Sequence, residues 1–213
     1  MVYRTVFIFK LAMSKKPTFD RKRPLSWSAI SSFEYDPEQW YRKYVLGQED
    51  PATPEMLFGS EIGLKLATDP MFLPHIQRYP IFEYKLEFTF NKIPMIGYID
   101  GFDDEPSNVT LMYDLGEYKT GKRAWTQKRA DEHGQFDSYL LGLWITRKIP
   151  PEKVRLNLHW MPTQDNGDFS IGFVDPKLCH TFQTQRTMQD ILKFGQRINT
   201  RYKEMIAYCK NHA

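Results

Sequence analysis

The chain has 213 residues, of which 41% are hydrophobic and 15% aromatic, so the composition excludes a disordered protein and suits one compact domain. Its 29 basic and 26 acidic residues give a formal net charge of +3, which permits an anionic partner without requiring one. With only two cysteines, Cys179 and Cys209, the chain cannot by itself supply a disulfide framework, a four-cysteine iron–sulfur cluster or a cysteine-rich zinc site.

The first 24 residues are predicted to form an N-terminal extension and a basic arm, followed by a single domain over residues 25–213. Residues 1–12 are apolar, but they are too few and too interrupted by charge for a membrane span, and they make a poor signal peptide. Met13 begins a more typical globular sequence, so residues 1–12 are either an over-extended start or a loose strand. Residues 14–24 are basic and contain proline, as flexible arms do. No other segment is apolar enough to cross a membrane, so we expect a soluble, cytoplasmic protein.

Three helices are predicted in the first part of the domain. Ser26 is a suitable N-cap for a short first helix, and Pro37 suits the first turn of a second. Apolar residues recur at helical spacing over 54–67, which predicts the third helix.

The period of the hydrophobic pattern changes to that of strands in the middle of the chain. Strands are predicted over 81–90, 93–103 and 109–120, joined by turns at 91–92 and 105–108. Three strands joined by two tight turns form an antiparallel meander.

The last part of the chain mixes both periods. The predicted elements are a long helix from 126 to about 147, strands over 154–161 and 168–174 that pair across an Asn166-Gly167 turn, and a long amphipathic helix from about 184 to 210. We therefore predict an α/β fold with a mixed central β-sheet flanked by helices.

Carboxylates and a lysine stand near the ends of the second and third strands. Side chains alternate along a strand, so Glu117 and Lys119 project to one side while Tyr118 faces away. Pairing of the two strands places Asp100 beside Glu117, although Asp103, Asp104 and Asp114 remain alternatives to Asp100.

Two adjacent carboxylates favour a hard divalent cation between them. The backbone carbonyl of Tyr118 is a natural further ligand, and Lys119 would orient or help deprotonate an attacking water and stabilise charge on a phosphate. Taken alone, however, a Glu-x-Lys string indicates no more than an exposed ion pair on a strand.

The order of motifs over residues 25–145 resembles that of the RecB-type nucleases of the PD-(D/E)XK superfamily. The similar segments are LSWSAISSFEYDPEQWYRKYVLG at 25–47, FGSEIGLKL at 58–66, GYIDGFD at 97–103, GEYKTGK at 116–122 and HGQFDSYLLGL at 133–143. The last of these matches the family's Gln-x-x-x-Tyr helix at Gln135 and Tyr139.

The resemblance implies a restriction-endonuclease-like core and a DNA nuclease, most simply an exonuclease, that uses Mg²⁺ or Mn²⁺ and has no iron–sulfur cluster. Asp100 and Glu117 would bind the metal, Lys119 would assist the water, and Gln135 with Tyr139 would position the substrate. It also implies single-stranded DNA or DNA ends as substrate, in DNA repair, recombination or phage-related processing. Because the chain shows no phosphate-binding loop of a motor, a helicase or repair-complex partner would supply any translocation.

The sequence departs from the family pattern at Gly63, which stands where the family has a metal-binding histidine. Glu61 is nearby and is either a tentative replacement ligand or an ordinary solvated glutamate, because two residues along a helix is a different face. One metal ion or two therefore remains open.

A basic cluster follows the third strand and is a candidate for contacts to the DNA backbone, with an aromatic ring for stacking on a base. It comprises Lys122, Arg123, Trp125, Lys128 and Arg129. The alternative is a charged loop that leads into a helix.

Two other functions are compatible with the same residues. One is a non-catalytic nucleic-acid-binding module that keeps a nuclease fold, which the missing histidine favours. The other is a structural subunit of a repair complex that docks through the amphipathic C-terminal helix, which an exposed apolar face on that helix would favour.

Overall fold

The structure is a computed structural model that describes residues 20, 22–48, 51–165 and 171–212. The apolar N-terminal segment, most of the basic arm and the predicted Asn166-Gly167 turn therefore lie outside the described residues. Among the described residues, no helix is long and apolar enough to cross a membrane.

The described residues contain strands and helices in mixed order. The strands are β1 (Ile81–Phe90), β2 (Ile93–Asp103), β3 (Tyr113–Gly121), β4 (Val154–Asp165), β5 (Ile171–Val174) and β6 (His180–Thr184). The helices are α1 (Trp27–Tyr35), α2 (Pro37–Tyr44), α3 (Pro54–Thr68), α4 (Gln127–Asp131), α5 (Gly134–Arg147) and α6 (Met188–His212), with a short 3₁₀ turn at Pro151–Lys153.

The strands form one mixed sheet, as predicted, in the order β1-β2-β3-β4-β5, with β6 also paired to β4. The β1–β2 and β2–β3 pairs are antiparallel, whereas β4 runs parallel to β3. A parallel neighbour requires a crossover connection, which α4 and α5 provide. Both β5 and β6 pair antiparallel with β4, at different parts of its length.

Helices cover both faces of the sheet. A larger core lies between one face and helices α1, α2, α5 and α6, and includes Phe102, Leu115 and Leu158 from the strands. A smaller core lies between the other face and α3, and includes Leu66 and Met161. Burial of both faces explains why the central strands carry few solvated side chains.

The three N-terminal helices begin where the sequence predicts. The Ser26 hydroxyl accepts a hydrogen bond from the Ala29 N–H at 3.2 Å, so Ser26 caps α1. Asp36 caps α2 by accepting from the backbone N–H groups of Glu38 and Gln39, both at 3.0 Å, and Pro37 occupies the first turn.

The predicted helix over 126–147 is wrong, because the structure has two helices separated at Glu132 and His133. A Cβ at Gly134, the first residue of α5, would lie 2.4 Å from the ring of Trp27. Gly134 therefore lets α1 approach the start of α5, a requirement set by a residue far away in sequence.

Three other predicted boundaries were also wrong. β4 runs to Asp165 rather than ending at 161. β3 begins at Tyr113 rather than 109, because residues 104–112 form a loop in which the Ser107 N–H donates to the Met112 carbonyl at 2.9 Å. Residues 180–184 form β6 on the sheet, so the C-terminal helix begins at Met188 rather than at about 184. The sequence HTFQT is short, and most of its side chains are exposed, so it lacks the alternation that marks a strand.

The regular alternation of side chains between the two faces of the sheet is interrupted at one point in β1, opposite β2. Phe82 packs on the smaller core and Tyr84 on the larger, although residues two apart on a regular strand share a face. Between them Glu83 has φ of +51°, in the left-handed region that non-glycine residues seldom occupy. Phe82 pairs with Gly101 and Tyr84 with Ile99, so Glu83 lies opposite Asp100. The irregularity therefore lies directly beside Asp100 in the sheet.

Candidate active site

The site lies where β2 separates from β3. The ladder between these strands runs from Asp103 and Asp114 to Gly101 and Gly116 and then ends. One residue further, the Asp100 Oδ2 atom accepts a hydrogen bond from the backbone N–H of Tyr118 at 2.9 Å. The carboxylate thus replaces a strand partner at the fork of β2 and β3.

The other aspartates considered from the sequence are engaged elsewhere. Asp114 pairs with Arg155 at 3.0 Å and Asp104 with Arg147 at 3.3 Å. The Asp103 carboxylate accepts from the backbone N–H of Glu105 at 3.3 Å. Of the four aspartates, Asp100 alone lines the cleft that contains Glu117.

Glu117 lies at the fork of β2 and β3 with its side chain 1% exposed and forms an ion pair with Lys119. The two side chains share a face of β3, as predicted. Tyr118 faces the other way, and its hydroxyl donates to the Gln77 carbonyl at 2.7 Å. Since a residue in a strand directs its N–H and C=O to the same edge, the Tyr118 carbonyl lies on the edge that faces Asp100.

Helix α5 supplies the two polar residues that the Gln-x-x-x-Tyr motif predicts. The Lys119 ammonium donates to the Gln135 side-chain oxygen at 3.1 Å, and the Gln135 amide donates to the Tyr139 hydroxyl. That hydroxyl lies 3.2 Å from the Glu117 Oε2 atom and also contacts the Tyr98 carbonyl. Gln135 and Tyr139 thus contact Lys119 and Glu117 directly.

Burial and charge change the ionisation of the carboxyl at the fork of β2 and β3. Burial, and then the nearby charge of Glu117, raises the pKa of Asp100 to about 7. Burial alone would lower the pKa of Lys119, but the carboxylate of Glu117 raises it above its ordinary value, so this side chain stays an ammonium. Two neighbouring carboxylates and one ammonium together carry a net negative charge, which a further cation would balance.

These residues fit a hard divalent cation. Asp100 and Glu117 offer carboxylate oxygens, and the Tyr118 carbonyl lies on the same edge, which is the ligand type that Mg²⁺ and Mn²⁺ prefer. Among the described residues, no group of three or more His, Cys, Asp or Glu side chains is arranged to hold a metal ion. With two carboxylates and one carbonyl supplied by the protein, a cation at this place would keep its other coordination positions for water and phosphate oxygens.

The fork of β2 and β3 opens into a cleft of about 730 Å³ between α3 and the sheet. Its polar part contains Asp100, Glu117, Lys119 and Gln135. The remaining wall is largely apolar or small and includes Trp27, Met56, Gly59, Leu64, Ala67 and Tyr98. The cleft therefore combines a charged floor with an apolar wall.

The structure does not bring Glu61 to the site. Its carboxylate lies on the outer side of α3, where it pairs with Lys65 at 2.7 Å, and it does not line the cleft. Gly63 does line the cleft, and a Cβ at this position would meet no atom within 4 Å.

The basic cluster lies on the segment that follows β3. Lys122, Arg123 and Lys128 are exposed. The Arg129 guanidinium lies 3.9 Å from the centre of the Trp125 ring, so one face of this ring is covered and is not open to a base. The cations are accessible to a phosphate backbone, whereas a base could stack on that face of Trp125 only if Arg129 moved.

Glu83 lines the cleft and was missed from the sequence. Its negative charge adds a small contribution to the raised pKa of Asp100, after burial and Glu117. The segment IFEYKLEFTF alternates regularly, so no local signal marked the irregularity at Glu83.

No family model matches the sequence, and no curated protein matches it. Solved structures do share its fold. A candidate exonuclease from Eubacterium rectale aligns over 91% of this chain and 84% of its own, with a TM-score of 0.58 and 9% identity. The alkaline exonuclease LHK-Exo from Laribacter hongkongensis aligns over 88% of this chain and 90% of its own, with a TM-score of 0.51 and 11% identity. The chain therefore has the fold of these exonucleases, with a central mixed sheet flanked by helices.

Proposed function

We propose that the protein is a divalent-metal-dependent nuclease of the PD-(D/E)XK type that hydrolyses phosphodiester bonds in DNA. The observation that carries the proposal is the convergence of Asp100, Glu117 and Lys119 at the fork of β2 and β3, on the floor of an open cleft. The fold shared with exonucleases supports it, and so does the order of motifs that resembles the RecB-type nucleases.

Asp100, Glu117 and the Tyr118 carbonyl would hold Mg²⁺ or Mn²⁺. When bound, such an ion supplies positive charge to the phosphate and acidifies water. Lys119 donates a hydrogen bond to the attacking water and stabilises negative charge on the phosphate. Gln135 and Tyr139 act through the other residues, since Gln135 fixes the Lys119 ammonium and Tyr139 fixes the Glu117 carboxylate.

The shape of the cleft favours an unpaired strand or a frayed end as substrate. A cleft of about 730 Å³ has the size of a site for a small ligand, which suits unpaired nucleotides better than a duplex. The apolar wall at Met56, Leu64 and Trp27 suits the faces of unpaired bases. Lys122 and Arg123 would neutralise phosphates outside the cleft. We infer an exonuclease that acts on single-stranded DNA or DNA ends, in repair, recombination or phage-related processing.

The missing histidine at Gly63 favours a second candidate, a nucleic-acid-binding module without catalysis. In contrast, the structure does not support docking through α6. Its apolar residues Ile191, Phe194, Ile198 and Met205 are buried in the larger core, and of its described large apolar side chains only Leu192 is exposed.

Cleavage of end-labelled single- and double-stranded DNA tests the proposal, with Mg²⁺, Mn²⁺ or EDTA present. We expect metal-dependent cleavage, strongest on the single strand, that Glu117→Gln reduces by at least about a hundredfold because the variant loses a ligand charge. Asp103→Asn is the control, since Asp103 lies on the neighbouring strand β2 outside the cleft, and it should cleave normally. Binding without cleavage by the unaltered protein would favour the non-catalytic module.

A further inference from the structure

Tyr79 lies just before β1 with 4% of its surface exposed. Its ring lies on one face of the sheet, over a pair of glycines in β2 and β3. A Cβ at Gly101 would lie 2.2 Å from the Tyr79 Cδ2 atom, and a Cβ at Gly116 would lie 2.2 Å from the Cε2 atom. Gly101 and Gly116 are partners in the β2–β3 ladder. One ring therefore fills the space that two missing side chains leave on neighbouring strands.

These glycines adjoin the two carboxylates of the candidate site. Gly101 follows Asp100 and Gly116 precedes Glu117, and their pairing is the last one before the fork of β2 and β3. Tyr79 packs on the same face as Tyr118, whereas Glu117 and Lys119 project to the opposite face. The ring thus packs against the fork of β2 and β3 on the face of the sheet opposite the two carboxylates.

Hydrogen bonds fix the outer end of this ring. The Tyr79 hydroxyl lies 2.9 Å from the His159 Nε2 atom and accepts from the Asn157 side-chain amide at 3.2 Å. The His159 Nδ1 atom in turn lies 2.8 Å from the Thr181 hydroxyl oxygen. Asn157 and His159 belong to β4 and Thr181 to β6, so Tyr79 is tied to the strands beyond β3.

We propose that Tyr79 is a positioning residue that sets the separation of Asp100 and Glu117 by holding the Gly101–Gly116 pair from behind. The inference rests on the proposed metal site, because a metal ion tolerates only small displacements of its ligands. A flat ring fixed at both ends holds the strands at one spacing, whereas a flexible side chain of similar volume does not.

A purely space-filling role makes a different prediction. If Tyr79 only filled the core, its replacement would lower the melting temperature and leave the metal affinity of the folded protein unchanged. A positioning role predicts that metal affinity falls in variants that are still fully folded.

The experiment measures Mn²⁺ affinity by isothermal titration calorimetry below the melting temperature of each variant. Tyr79→Phe keeps the ring but loses the hydroxyl that fixes its outer end, so its affinity should lie between those of the unaltered protein and Tyr79→Leu. Tyr79→Leu should bind at least about tenfold more weakly, the usual effect of losing support behind metal ligands. If Tyr79→Leu does not fold, Tyr79→Met takes its place with the same prediction.

A double substitution tests the ring contact itself. Gly116→Ala should weaken Mn²⁺ binding, because its methyl group collides with the outer part of the ring. Tyr79→Leu removes the colliding Cε2, Cζ and hydroxyl atoms, so the double variant should recover part of the affinity that Gly116→Ala loses. Losses that simply add would contradict the proposal.

A second readout separates this inference from the proposed function. The Tyr118 N–H donates to Asp100, so its hydrogen-exchange rate in the metal-free protein reports the geometry of the fork of β2 and β3. We expect slow exchange in the unaltered protein, faster exchange in Tyr79→Phe and the fastest exchange in Tyr79→Leu. If the unaltered protein binds no Mn²⁺, the proposed metal site fails while exchange still decides the role of Tyr79. Unchanged exchange in Tyr79→Leu would overturn the inference.

Discussion

At the scale of single residues, the main feature of the site is a carboxylate that accepts the hydrogen bond a strand partner would otherwise accept. Where β2 leaves β3, the Tyr118 N–H is partly buried, and a buried donor without an acceptor is costly. Asp100 supplies the acceptor and in doing so comes to lie next to Glu117. The same contact therefore satisfies the backbone and brings two negative charges together, which a divalent cation would stabilise.

Gly63 offers a direct test at the residue scale. Gly63→His should raise Mn²⁺ affinity, because the position lines the cleft, has space for a side chain, and matches the histidine of the resembling family. It should also stabilise α3 by about 0.3 kcal/mol through better helix propensity. Gly63→Ala is the matched control, since it gains propensity without a ligand. Equal Mn²⁺ affinities for the two variants would contradict a metal near α3.

His159 predicts a pH dependence of stability. Burial lowers its pKa to about 4, whereas the unfolded chain binds this proton near pH 6.5. The unfolded state thus holds more protons between these values, so the free energy of unfolding falls as the pH drops through this window and is unaffected above it.

Urea denaturation at pH 7.5 and pH 5 measures this effect. Comparison with His159→Gln cancels the other titrating groups. The unaltered protein should lose about 2 kcal/mol more than the variant does between the two pH values. An equal loss in both proteins would contradict this prediction, because it would show that His159 is already protonated in the folded protein at pH 5.

Helix α5 is the element that connects the core to the site. Gln135 and Tyr139 face the fork of β2 and β3, and Asp137 between them pairs with Arg186 at 2.6 Å. Arg186 is 6% exposed and also donates to the Thr184 hydroxyl at 2.8 Å. This contact fixes α5 to the segment between β6 and α6.

Removal of that ion pair should be costly. Arg186→Ala leaves Asp137 partly buried without its cation, so we expect a loss of about 3 kcal/mol in the free energy of unfolding. The control is Arg201→Ala, because Arg201 pairs with Glu34 at 2.8 Å with 35% of its side chain exposed. That variant should lose less than about 1 kcal/mol. Similar losses for the two variants in urea denaturation would refute the expected difference.

Elements with local signals were predictable from the sequence. The caps at Ser26 and Asp36 and the alternation of β1 and β2 depend on residues close in the chain. The break before Gly134 depends on the distant ring of Trp27, and β6 depends on pairing with β4. Neither dependence leaves a local pattern, so both were missed.

The site was predictable to a similar extent. Asp100, Glu117, Lys119, Gln135 and Tyr139 were chosen from motifs, and the structure brings them together. The left-handed backbone at Glu83 and the ring of Tyr79 behind the glycines arise from strand pairing, which no single segment encodes.

At the scale of the whole molecule, the site exists only when three parts of the fold meet. The sheet supplies two carboxylates at the fork of β2 and β3, α5 fixes the residues around them, and α3 closes the cleft from the other side. Helices pack on both faces of the sheet, so core contacts on each side hold the strands that carry the two carboxylates.

The most direct test of this account is calorimetric titration of the metal-free protein with Mn²⁺, beside Asp100→Asn. The amide of the variant can still accept from the Tyr118 N–H, so the fold should persist while the negative charge is lost. The account predicts saturable Mn²⁺ binding by the unaltered protein and a loss of at least about tenfold in affinity in the variant. Absence of binding, or equal binding by both proteins, would contradict a metal site at the fork of β2 and β3.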